Sequence, residues 1–191
     1  MKKNRISFES IFWAGHEIKS PSQVLEAFFD FAHLDCYKEI LCEAFLYVHK
    51  KKVYKKDYPG QVIVFYTALR SFLKVCFLLQ YKNKKWKVKK PSDCKSKLHM
   101  ASLTMEEYEN PFLVFQRAFA EKTIDEFEFF LFEVIHLSLS RCTEEFDYDL
   151  ITPYIYLIKM LDASQLMRER GIEKIKNNEH SLEDNISSSG I

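Results

Sequence analysis

Turn-forming residues are scarce in this chain, with only 4 Gly and 5 Pro in 191 residues. An all-β sandwich or barrel needs a turn about every ten residues, so long helices are the economical alternative. The same shortage leaves no glycine-rich phosphate loop, and no Gly-x-Ser-x-Gly or His-Glu-x-x-His run occurs. No Arg is followed four to six residues later by a His, the spacing with which helical nucleases hold a scissile phosphate.

Cysteine is sparse and unpatterned. Cys36, Cys42, Cys76, Cys94 and Cys142 are odd in number and never in Cys-x-x-Cys spacing, which argues against a disulfide framework or a zinc site. Four of them sit in apolar runs and are expected as small core residues in a reducing cytoplasm. The basic start Met1-Lys2-Lys3-Asn4-Arg5 leads into a stretch broken by Glu9, Glu17 and Lys19, so no export signal is read. The longest apolar run, Val62 to Leu79, nearly reaches membrane-crossing length. Arg70 and Lys74 share one side of it with Thr67 and Ser71, so it is expected as an amphipathic core helix, with no membrane partner.

What is present is ample core material: 47% of residues are hydrophobic, with 17 Phe and 10 Tyr. The expectation is an all-α fold, a compact bundle of about six helices, with residues 1–176 as one domain and 177–191 as a disordered polar tail. Residues 1–19 form a docked arm anchored by Phe8, Ile11, Phe12 and Trp13. Ser20-Pro21 reads as an N-cap followed by a proline at the first helical position. A break at 33–35 precedes a second helix capped by Asp35, and the long helix spans 60–81. Thr104 with Glu107, and Thr123 with Glu126, have capping-box spacing. Further helices are expected over 111–121, 123–140 and 150–170. Around 84–90, Trp86 and Val88 alternate with lysines, a period of two that predicts a short extended or β segment.

Charge is strongly segregated. Residues 1–100 carry 20 Lys/Arg against 9 Asp/Glu, and residues 101–191 carry 8 against 18. The basic excess is interleaved with aromatics in two runs: Lys50, Lys51, Lys52, Tyr54, Lys55, Lys56 and Tyr58, then Tyr81, Lys82, Lys84, Lys85, Trp86, Lys87, Lys89 and Lys90. Lysines attract phosphates and rings stack on unpaired bases, so these runs are the candidate contact surface for nucleic acid or a nucleoprotein complex. The alternative is a solvated basic face whose aromatics anchor loops. Since the helix between the runs is ~30 Å long, they leave from opposite ends of the bundle unless the second folds back. Glu106, Glu107, Glu109, Glu144, Glu145, Asp147 and Asp149 form an acidic counterpart, a candidate surface for a protein partner.

Two carboxylate–histidine pairs, Asp30-x-x-His33 and Glu133-x-x-His136, have the helical spacing of di-iron bundle ligands, with Glu39 and Glu43 as possible additions. Both pairs lie on polar helix stripes, so solvent-exposed i,i+3 neighbours are the plainer reading and no cofactor is expected. The leading expectation is a non-catalytic helical binding or regulatory protein, an accessory factor or inhibitor acting on nucleic acid or its processing machinery. A metal-binding helical oxidoreductase and a self-associating structural module are the alternatives.

Overall fold

The computed structural model describes residues 7–49, 53, 59–82, 86–90, 100–140 and 148–174. Eight helices and two short strands occur among them: α1 (Ile11–Ala14), α2 (Pro21–Phe31), α3 (Leu34–His49), α4 (Pro59–Leu79), β1 (Trp86–Val88), α5 (Met105–Glu109), α6 (Phe112–Glu121), α7 (Ile124–Leu139), α8 (Ile151–Arg170) and β2 (Ile172–Lys174). The fold is all-α, and six of the helices have ten residues or more. The 177–191 tail lies outside the described residues.

Helix α4 is the central element and packs against α1, α2, α6 and α7. Its stretch Gly60–Leu79 is long and apolar enough to cross a membrane, yet Val62, Phe65, Ala68, Leu69, Phe72, Leu73, Val75 and Cys76 are all buried in the core. The polar stripe of α4 is covered by the docked arm. Trp13 Nε1 donates to Ser71 Oγ at 3.0 Å, and Ser71 Oγ in turn bonds the Phe8 carbonyl. Arg70 bridges Glu9 at 3.1 Å and Glu128 of α7 at 3.3 Å, while Lys74 reaches the Ser7 carbonyl at 3.1 Å. A stripe that would otherwise face water thus becomes the seam that fixes the arm, and Gly15, in the left-handed region at φ 75°, ends α1 and turns the chain back.

Beneath the arm runs an aromatic column. Phe28 stacks on Tyr37 with centroids 3.9 Å apart and on Phe72 at 4.6 Å. The Tyr37 hydroxyl is satisfied by the Phe28 carbonyl at 2.7 Å, and burial pushes its pKa far above the ordinary value. Fully burying side chains of this size contributes about 1.5–3 kcal/mol each, so this column is a major source of cohesion between α2, α3 and α4.

Local signals were met unevenly. Both capping boxes form, with Thr104 and Thr123 accepting from the backbone of Glu107 and Glu126 and each carboxylate bonding back. Ser20 sits at the N-cap with Pro21 after it, but its hydroxyl bonds Ser22 Oγ at 2.9 Å and leaves the helix amides uncapped. Helix α3 starts at Leu34, so Asp35 lies inside its first turn and is not the cap. Cys76 is buried as expected, whereas Cys36 is exposed on the first turn of α3 and Cys42 is half-buried. Cys94 and Cys142 lie outside the described residues.

Candidate functional site

Three helix ends meet at one side of the bundle. The first turn of α2, the end of α4 and the end of α8 converge there, and β1 and β2 pair antiparallel over them with Trp86, Lys87 and Val88 opposite Lys174, Glu173 and Ile172. The reversal from α8 into β2 occurs at Gly171, whose φ of 82° excludes most side chains. Its amide closes α8 on the Met167 carbonyl at 2.9 Å, and its carbonyl accepts from Lys89 at 3.3 Å.

Alternation along β1 then divides the basic run into two faces. Trp86 and Val88 pack against the core. Lys87 points the other way and, with Lys89, approaches Glu173 at 3.8 Å. All three of those side chains are largely exposed, which makes the pairs weak. Lys90 is exposed. Lys50, Lys51, Lys52, Tyr54, Lys55, Lys56, Lys84 and Lys85 lie outside the described residues, as do 12 of the 20 basic and two of the nine acidic residues of the first 100.

On its inner side Trp86 lines a cleft of about 510 Å³. Leu25, Leu79, Phe112, Met167 and Ile172 supply apolar walls, and Ser20, Ser22, Glu26, Lys82 and Arg168 supply the polar margin. Arg168 is committed to α2, bonding Glu26 at 2.9 Å and Asp30 at 2.5 Å. Lys82 is exposed, and among the described residues it is the lining cation with no carboxylate partner. The volume falls within the range of about 300–1,000 Å³ typical of small-ligand sites. Of these groups, the basic–aromatic run signalled Trp86 and Lys82. The walls come from α2, α6 and α8, and no local pattern announces them.

The metal candidates are not gathered. Asp30 is held by Arg168, and His33 is exposed. Glu133 accepts from the Tyr148 hydroxyl at 2.7 Å, and His136 stacks on Phe132 with centroids 5.6 Å apart. Among the described residues no group of three or more His, Cys, Asp or Glu side chains is placed to hold a metal ion.

Among the described members of the acidic run Glu107 is buried, while Glu106, Glu109 and Asp149 are exposed. Glu107 is bonded by Lys159 at 2.8 Å, Arg117 at 3.2 Å and the Thr104 amide at 2.9 Å. Burial pushes its pKa up, but the hydrogen bonds from Lys159 and the Thr104 backbone, with Arg117, outweigh it and hold the carboxyl below its usual range. Glu106 is taken by Arg117, and Asp149 accepts from the amides of Thr152 and Ile151 at the start of α8. The Thr152 bonds depress the Asp149 pKa. Glu144, Glu145 and Asp147 lie outside the described residues.

A second exposed surface, unannounced by the charge pattern, follows α7. Phe129 and Phe132 are each half exposed on successive turns, and Tyr148 meets Phe129 edge-on at 5.4 Å. Comparison with known proteins gives no relative for either surface: no family model, no curated protein and no solved structure matches the chain.

Proposed function

We propose that this chain is a non-catalytic binding protein that contacts nucleic acid, alone or within a nucleoprotein complex, through the end of the bundle carrying β1. The observation that carries the reading is the juxtaposition of Trp86 and Lys82 at one cleft, with Lys87 and Lys89 on the outer side of the same ribbon and Lys90 exposed just beyond it. An aromatic wall beside exposed lysines suits a polyanion whose rings are accessible. Lysine predominates over arginine in this run, which favours phosphate attraction over reading of base edges.

Substituting Lys82, Lys84, Lys85, Lys87, Lys89 and Lys90 by Ala should weaken binding of a labelled oligonucleotide and flatten the dependence of its affinity on salt. Unchanged affinity and slope would overturn the reading. An accessory or inhibitory role would follow if such a surface competes for the nucleic acid of a processing enzyme.

The exposed Phe129 and Phe132 favour a second reading, a protein partner on α7. A partner held by the chain in extract of its host and lost on replacing both phenylalanines by Ser supports it. Retention by the double variant overturns it.

A further inference from the structure

We propose that the Trp86 cleft takes one unpaired nucleobase, stacked on the indole, with the adjoining phosphate at Lys82; this rests on the nucleic-acid reading above. Trp86 lines the cleft together with the aliphatic and thioether groups of Leu25, Leu79, Met167 and Ile172, an apolar lining of the kind that suits an aromatic ring. Charge on the lining is arranged for the same ligand. Arg168 is shared between Glu26 at 2.9 Å and Asp30 at 2.5 Å, and Lys82 is the lining cation with no carboxylate partner among the described residues.

The first turn of α2 adds to this. Ser20 and Ser22 bond one another, Pro21 has no N–H, and no cap side chain covers the turn, so the positive end of an 11-residue helix opens on the margin that Lys82 occupies. A base-paired duplex keeps its rings stacked inside and offers this cleft only its backbone. An unpaired strand can place a ring in the slot while Lys82 holds its phosphate. The site therefore selects single strands, and selects them by the presence of a base rather than by charge alone.

The experiment compares a 12-nucleotide oligo-dT, an abasic strand of the same length and charge, and a duplex, read by tryptophan fluorescence and by anisotropy of a label. Of the two tryptophans, Trp13 is buried against Ser71, so quenching reports on Trp86. Oligo-dT should bind about 5- to 150-fold more tightly than the abasic strand, the worth of one base–aromatic stack, and should quench Trp86. Trp86→Ala should abolish that ratio while leaving the salt dependence in place.

Because Trp86 also packs on the core, Ser22→Leu, read by anisotropy, provides an independent test and should abolish the same ratio. Ser22 is exposed, and a bulky side chain there obstructs the mouth without removing a core contact. Circular dichroism would verify that both variants are folded. Equal, salt-dependent binding of abasic and base-bearing strands by the folded wild-type protein would overturn the base slot and leave the electrostatic reading standing. Absence of binding to any of the three would overturn both.

Discussion

Helix α8 buries charge at its middle and at its end, and the two places are handled in opposite ways. In the middle, Lys159 reaches the buried carboxylate of Glu107, and Asp162, fully buried, is paired with Lys38 and bonded by the amide and hydroxyl of Ser102 at 3.1 and 2.6 Å. At the end, Arg170 is 2% exposed and, among the described residues, is met by the Tyr108 carbonyl at 2.6 Å and the Tyr108 ring at 4.0 Å. Its Nε and Nη2 are buried without a hydrogen-bond partner among the described residues. The middle is a lock in which each charge has an answering charge. The end keeps a guanidinium at the favourable pole of the helix but with no carboxylate bonded to it among the described residues, one residue from the Gly171 wall of the cleft.

The difference predicts opposite responses to deletion. Glu107→Ala leaves Lys159 facing an emptied buried site and should cost about 3–5 kcal/mol in urea denaturation, the usual penalty for breaking a buried pair. Asp162→Ala removes the acceptor for both Ser102 bonds and should cost about 2 kcal/mol. It also frees the turn at Met100 and Ala101, both at positive φ, so hydrogen exchange should accelerate there first. Destabilisation below 1 kcal/mol in either variant would show that the middle is not a lock.

A pH titration sharpens the same contrast. Glu107 has a folded pKa below its unfolded value, so its contribution is complete above about pH 5 and is lost as pH falls through the unfolded value near 4.3 and then the folded one. Glu107→Gln should therefore flatten the acid side of the stability profile. A profile superimposable on wild type would contradict the assignment.

At the other end of α8 the expected effects are small. Arg170→Met should leave stability within about 1 kcal/mol of wild type or raise it, since an apolar side chain of similar length removes a desolvation cost that no carboxylate offsets. A loss above 3 kcal/mol would place a counter-ion on Arg170. Glu173→Gln, which removes the exposed partner of Lys87 and Lys89, should change stability by less than about 0.5 kcal/mol.

The legible parts of the fold were those governed by neighbours along the chain. Both capping boxes, the proline start of α2 and the alternation around Trp86 act over a few residues and are readable locally, whereas the break expected over 33–35 falls at Ala32 and His33, with Leu34 and Asp35 already in α3. Burial was harder to read on α8. Its polar residues suggest a partly solvated helix, but Asp162, Ser164 and Arg170 are buried because α3, the 100–104 turn and α5 deliver partners to two of them. Strand β2 has three residues and exists because Gly171 aims the chain back at β1, a pairing across more than 80 positions that no local pattern encodes.

The cleft follows the same division. By itself the sequence determined that this is a helical chain with opposed charge in its two halves and a tryptophan set among lysines, because composition and short-range periodicity carry that information directly. Only the tertiary structure decided that the polar stripe of α4 is sealed by the arm, that most described acids of 106–149 serve internal bonds, and that Trp86 and Lys82 share a slot with Leu25, Phe112 and Met167. Those outcomes depend on which faces meet once the core closes, and the free energy of that closure is summed over contacts far apart in the chain.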